Sequence, residues 1–193
     1  MAANTSFHIF VNARPMEHQG EDSDRLLTVL HDQGLCASKL GCGTGHCGAC
    51  TVWVGGTSAR ACEVTVGTLA TEIDSSAQKV TTLEGLSEAE PLLAQCLIDA
   101  FLLEQAAQCG YCTSGILMKA ALLIRNHSLE ARKDSDVPLE ESQVSRALDE
   151  HLCRCGSHRR VMRAVVLASE VYSRRRFAET SNAVALPPSK LAR

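Results

Sequence analysis

Residues 39–51 read Lys-Leu-Gly-Cys-Gly-Thr-Gly-His-Cys-Gly-Ala-Cys-Thr, with cysteines at 42, 47 and 50 and glycines at 41, 43, 45 and 48. Cys62 follows, which completes C-x4-C-x2-C-x11-C. The first three cysteines have the plant-type [2Fe–2S] spacing. Four thiolates must converge on a two-iron core, and three of them lie on one short loop. The backbone has to turn sharply and stay close to the core, so Gly43, Gly45 and Gly48 supply dihedrals that other residues resist and keep side chains away. The loop's N–H groups can then face negative charge. Cys62 closes the cage. A four-cysteine zinc knuckle pairs two short C-x2–4-C arms and has no need of crowded glycines.

Outward from this loop the chain reads as a small mixed sheet with one helix. Ser6–Val11 alternates as a strand, with Phe7, Ile9 and Val11 on one face, and Asn12–Pro15 is turn chemistry. Met16–His18 is the expected return strand. Ser23 or Asp24 is the expected cap of a helix running to about Gln33, buried through Leu26, Leu27, Val29 and Leu30, with Gly34 at its C-terminal end. Thr51–Val54 and Ser58–Val66 read as a hairpin across Gly55–Gly56, and Lys79–Leu83 as one more short strand.

Beyond residue 84 the hydrophobic period changes from two to 3.6. Leu92–Gln105 behind Pro91, Thr113–Asn126, Leu139–Leu152 and Gly156–Phe177 are expected as four helices, with the polar Ser128–Pro138 as a loop. The division is thus 1–84 for the sheet domain, 85–177 for the helical domain and 178–193 for a tail. Cys109-Gly110-Tyr111-Cys112 falls between the first two helices and Cys153-Arg154-Cys155 between the last two. Two corners at one end of a bundle can bring both pairs together. Taken alone, C-x2-C…C-x-C also suits zinc. A thioredoxin-type reading needs a βαβ setting, which the helical pattern denies.

The composition narrows the classes further. A net charge of −3 and 4% aromatic residues give no footprint for nucleic acid. No apolar run is long enough to insert in a bilayer, and Met1–Pro15 lacks a signal-peptide pattern, so a cytoplasmic location is expected. Ten cysteines without a secretory signal favour metal over disulfides.

Taken together, Lys39–Val52, Val80-Thr-Thr-Leu-Glu-Gly-Leu86, Gln105-Ala-Ala-Gln-Cys-Gly-Tyr-Cys112 and Leu152-Cys-Arg-Cys-Gly156 resemble the small iron–sulfur subunit of the molybdenum hydroxylases, the xanthine dehydrogenase and aldehyde oxidoreductase family. The wording around Cys109 and Cys153 is most similar to nicotinate dehydrogenase small subunits. The resemblance covers about residues 5–172. It implies an α+β chain: a β-grasp, plant-ferredoxin-like domain holding one [2Fe–2S] cluster on Cys42, Cys47, Cys50 and Cys62, then a four-helix domain holding a second on Cys109, Cys112, Cys153 and Cys155.

It also implies that Gln108 and Cys155 contact a molybdopterin cofactor bound by a separate large subunit. Electrons would pass through both clusters to an acceptor such as a flavin subunit or a cytochrome, and the chain would be inactive alone. A free-standing ferredoxin-like carrier is the alternative. The Cys112–Cys153 gap exceeds the family's usual one, and Ala13 stands where the family usually has glycine.

Cys36 and Cys96 belong to neither set and are expected to be buried as small apolar side chains. His46 is expected to face solvent, and His151 and His158 to serve as ordinary helix-end residues. Arg154 contacts the pterin phosphate or a partner acid, or is solvated, and Arg174–Arg176 is expected as a solvated helix end favoured by the dipole.

Overall fold

The computed structural model describes residues 5–70, 79–131 and 139–181. The chain begins with strands β1 (Thr5–Val11) and β2 (Arg14–Gly20), helix α1 (Leu26–Asp32), strands β3 (Thr51–Val54) and β4 (Thr57–Arg60), helix α2 (Val66–Ala70) and strand β5 (Val80–Thr81). Helices α3 (Leu83–Ala89), α4 (Pro91–Leu103), α5 (Thr113–Ala131), α6 (Glu141–Leu148) and α7 (His158–Ser181) follow. This is the α+β organisation expected, with a β-grasp sheet ahead of helices.

The sheet has the order β2-β1-β5-β3-β4. Strands β1 and β5 run parallel; the two hairpins and the β3–β5 pair are antiparallel. The alternation along β1 holds, since Phe7, Ile9 and Val11 are all buried against Leu26, Leu27, Val29 and Leu30 of α1. Asn12 and Ala13 form a two-residue hairpin turn with φ of 51° and 60°. Such doubly left-handed turns match the strand twist and are the tight hairpin connection. Asn12 also ties this turn to the end of β5: its Nδ2 donates to Thr82 Oγ1 at 2.9 Å and its Oδ1 accepts from Thr82 N at 2.9 Å.

Several boundaries differ from expectation for identifiable reasons. The α1 N-cap is Arg25, without a side-chain cap bond, because Asp24 is engaged elsewhere. Its carboxylate meets His18 Nε2 at 2.7 Å and accepts from Glu21 N at 3.0 Å. β4 stops at Arg60 rather than running to Val66: Glu63 N and Val64 N both turn back onto Arg60 O, which swings Cys62 inward, and α2 starts at Val66. The expected strand Lys79–Leu83 shortens to β5, and α3 follows it. Gly85 obscured that helix in the sequence, yet a Cβ there would lie 2.2 Å from Asn12 Oδ1.

The helical half has its own core, built from α4, α5, α6 and α7 around Leu93, Leu97, Ile116, Ile124, Val144, Val161 and Val165. Helix α5 runs to Ala131, so the first residues of the expected 128–138 loop are helical, and 132–138 lie outside the described residues. Helix α7 continues to Ser181, into the expected tail, whose remainder is also outside them. Helix α6 is shorter than expected at its C-terminal end, and the residues it releases, 149–152, pack against the sheet half. Trp53 of β3 belongs to the helical core, where its Nε1 donates to Met118 O at 2.8 Å and Arg125 lies over its ring at 4.9 Å. A buried indole thus pins the two halves together.

Candidate metal centres

The glycine-rich loop between α1 and β3 adopts the conformation its composition demands. Gly43, Gly45 and Gly48 all have φ between 71° and 76°. A Cβ at Gly41 would lie 2.5 Å from Cys47 Sγ. Backbone donors turn onto the sulfurs: Cys42 N reaches Cys47 Sγ at 3.3 Å, and Thr44 N and Cys47 N each reach Cys42 Sγ at 3.4 Å. Amides from Thr44 and Cys47 stabilise the anion, and the Cys42 thiol falls to about 6. Cys50 and Cys62 lie together, Sγ to Sγ 3.3 Å, beneath the loop. Burial pushes the Cys50 thiol up to about 11.

The second group forms between the ends of helices. Cys109 and Cys155 lie close enough to act on each other's ionisation, as do Cys112 and Cys153. Burial raises Cys112 to about 12. Burial would also raise Cys153, but hydrogen bonds from the Ser157 hydroxyl and amide and from Cys112 bring it down to about 6. The Ser157 hydroxyl lies 3.3 Å from Cys153 Sγ. Cys109 is lowered, chiefly by the Tyr111 amide. Cys42, Cys109 and Cys155 are exposed, and so is Gln108, next to Cys109.

The structure therefore brings Cys42, Cys47, Cys50 and Cys62 together in one place and Cys109, Cys112, Cys153 and Cys155 in another. Among the described residues, no three His, Cys, Asp or Glu side chains converge on a point suited to one ion. A two-iron core asks for two thiolates on each iron, and four cysteines in each group supply that donor set. Amides aimed at sulfur, a glycine, Gly41, where a Cβ would strike sulfur, and thiols of lowered pKa in each group fit a negatively charged iron–sulfur core.

The two groups abut. Leu152 N, one residue before Cys153, donates to Cys47 O at 3.0 Å. Gly48 packs so closely on the segment ahead of Cys153 that a Cβ would lie 2.6 Å from His151 Cδ2, and one at Gly115 would lie 2.0 Å from Gly48 O. Tyr111 OH donates to Leu40 O at 2.5 Å. His151 is buried rather than an ordinary helix-end residue, with Nε2 3.0 Å from Thr51 Oγ1. Burial, with Arg60 and Lys119 nearby, pushes it down to about 3, so the ring is neutral.

Sequence reading missed the centre of this seam. Arg60 donates to Gly45 O at 3.1 Å, to Thr51 Oγ1, and to Glu150 Oε2 at 3.1 Å, and lies 3.2 Å from His151 Nε2. An arginine two positions before one candidate ligand, and an acid three positions before the C-x-C pair, is a faint local signal. His46 is exposed as expected, and His158 Nε2 meets His151 O at 3.3 Å. Cys96 is buried as expected, but Cys36 is exposed, contrary to expectation, because it lies past the end of α1 on the turn leading to the loop.

Comparison with known proteins supplies the context. Residues 9–100 match the 2Fe-2S iron-sulfur cluster binding domain family, and residues 82–166 match the [2Fe-2S] binding domain family. The chain is 39% identical over 168 residues to a nicotinate dehydrogenase subunit of Pseudomonas putida, covering 86% of this chain and 96% of that one. It is 39% identical over 150 residues to the alpha subunit of isoquinoline 1-oxidoreductase from Brevundimonas diminuta, covering 78% and 87%. Among solved structures, quinoline 2-oxidoreductase from Pseudomonas putida 86 superposes with a TM-score of 0.73 at 25% identity, covering 91% of this chain and 98% of that chain. Aldehyde oxidoreductase from Desulfovibrio gigas gives a TM-score of 0.71 at 27% identity, covering 95% of this chain and 19% of that chain.

Proposed function

The chain belongs to the iron–sulfur subunits of the molybdenum hydroxylases, a non-catalytic electron-transfer component of an oxidoreductase, and we propose how its residues perform that task. Residues 1–84 form the unit that holds one [2Fe–2S] cluster on Cys42, Cys47, Cys50 and Cys62. Residues 85–177 hold the other on Cys109, Cys112, Cys153 and Cys155. Each cluster, when bound, supplies a site that accepts and releases one electron.

The chain's own part is to hold the two sites in series and to shield one while presenting the other. Leu152 N–H to Cys47 C=O supplies the bonded bridge between them, running from Cys153 through a single amide. Exposed Gln108 and Cys155 mark the face that meets a molybdopterin cofactor in a large partner subunit. That partner oxidises a nitrogen heteroaromatic such as nicotinate, or an aldehyde, and the electrons leave for a flavin subunit or cytochrome. Among the described residues no helix is long and apolar enough to cross a membrane; we place the complex in the cytoplasm.

The observation that supports this reading best is the sorting of eight thiols into two abutting groups of four. Iron and acid-labile sulfide analysis of anaerobically purified protein tests it. About four irons and about four sulfides per chain are expected. Cys47→Ser and Cys112→Ser should each remove about half. Zinc in place of iron, or loss of all iron with either variant alone, would count against two independent sites.

A further inference from the structure

Arg60 is a half-buried cation placed between the two candidate iron–sulfur sites. Its side chain is 12% exposed. Nε donates to Gly45 O at 3.1 Å, inside the loop between Cys42 and Cys47. Arg60 is two residues ahead of Cys62, and the next residue's amide, Ala61 N, donates to Cys50 O at 3.2 Å. The other end of the guanidinium reaches the second site. It donates to Glu150 O at 3.4 Å and Glu150 Oε2 at 3.1 Å, and lies 3.2 Å from His151 Nε2, on the segment that continues into Cys153.

The charge has little local neutralisation. Its acidic partner, the Glu150 carboxylate, is 84% exposed and therefore screened by water. His151 and Thr51 are buried and neutral, and Lys119, which acts on the same imidazole, is also a cation. The other carboxylate in the neighbourhood, Glu63 against Gly45, is exposed as well, and a half-buried arginine whose counter-charges are solvated is favoured by further negative charge nearby. Two thiolate-ligated iron–sulfur cores on either side provide that charge.

We propose that Arg60 is an electrostatic positioning residue for electron transfer: its fixed charge, held between the two sites by hydrogen bonds to both loops, raises the reduction potentials of both clusters together. The inference rests on the two-cluster reading above. Each site takes up one electron, and the electron lost by one is the electron gained by the other. Guanidinium neither gives nor accepts a proton. A cation stabilises the more negative, reduced form at either site, so both potentials rise.

The test is an EPR-monitored redox titration of the full-length chain, made only on preparations whose iron content and visible spectrum match the unaltered protein. That condition separates failure of the two-cluster reading from failure of this one. Arg60→Gln should lower both midpoint potentials. Arg60→Lys keeps the charge but not the fork, and should leave both nearer the unaltered values than Arg60→Gln does. Glu150→Gln, at an exposed side chain that does not threaten folding, should raise both, by much less than Arg60→Gln lowers them, because water screens its carboxylate. Loosening of the seam has no reason to produce opposite signs from the two glutamine variants. Shifts of the same sign in Arg60→Gln and Glu150→Gln, a shift at one site alone, unmoved potentials, or Arg60→Lys behaving as Arg60→Gln would each overturn the proposal.

Discussion

The acid strengths of Cys42, Cys50, Cys112 and Cys153 are set one residue at a time. In each group one thiol lies far below an ordinary cysteine and another far above it. Cys42 falls to about 6 because the Thr44 and Cys47 amides point at its sulfur, and Cys50 rises to about 11 because it is buried beneath the same loop. Burial alone would raise Cys153; its Ser157 contacts overcome this and bring it to about 6, while burial lifts Cys112 to about 12. Thiolate is the nucleophile, so a lowered value means more reactive sulfur at neutral pH. In chelator-treated, iron-free protein, a brief iodoacetamide pulse at neutral pH followed by peptide mass spectrometry should label Cys42 and Cys153 well ahead of Cys50 and Cys112. Labelling of Cys42 should fall as pH drops through about 6. Denatured protein should show no such ranking; persistence of the ranking after unfolding would trace it to local sequence instead of the folded loops.

Elements fix where these residues meet, and here the sequence was legible only in part. The first cysteine set was readable because three ligands and their glycines lie within ten residues, and the glycines have the left-handed φ their loop requires. The second set was readable as two helix corners. The Arg60–Glu150 pair was not, because its partners are 90 residues apart in the chain and neither carries a pattern that points to the other. Helix α3 was hidden by Gly85, whose presence answers to a contact with Asn12 rather than to helix propensity. Gly115 has the same character. It sits in the first turn of α5, where alanine would ordinarily be preferred, yet a Cβ would lie 2.0 Å from the backbone oxygen of Gly48. Backbone cannot step aside as a side-chain tip can. Gly115→Ala should therefore destabilise the protein by about 1–3 kcal/mol or more, read as a lowered denaturation midpoint. Gly34→Ala, outside both cysteine loops, is the comparison: its Cβ would meet nothing within contact distance, and the left-handed φ of 79° opposes it, for about 1–2 kcal/mol. A cost at Gly115 no greater than that at Gly34 would show that α5 does not bear on the first loop.

At the scale of the whole molecule, the seam between the halves leaves one site sheltered at its base and the other opening outward. Cys50 and Cys62 are buried, whereas Cys109 and Cys155 are exposed. Large apolar side chains are exposed near the outward-facing group: Tyr111 between its first two cysteines, Leu152 beside its third, and Leu102 at the end of α4, just ahead of the segment carrying Gln108. Leu102 is 72% exposed and Leu152 61% exposed. Exposed apolar side chains gathered near a functional edge are the usual mark of a protein partner. Leu102 separates docking from cluster assembly better than its neighbours do, because it lies outside both cysteine loops and its removal from water is not part of this chain's own core. Leu102→Glu should leave iron content, visible spectrum and thermal midpoint unchanged, while recovery of the proposed large subunit by affinity purification of co-expressed chains falls roughly tenfold, the effect of about 1.4 kcal/mol at an interface. If recovery is undiminished while the spectrum is intact, the partner meets the chain without engaging the end of α4.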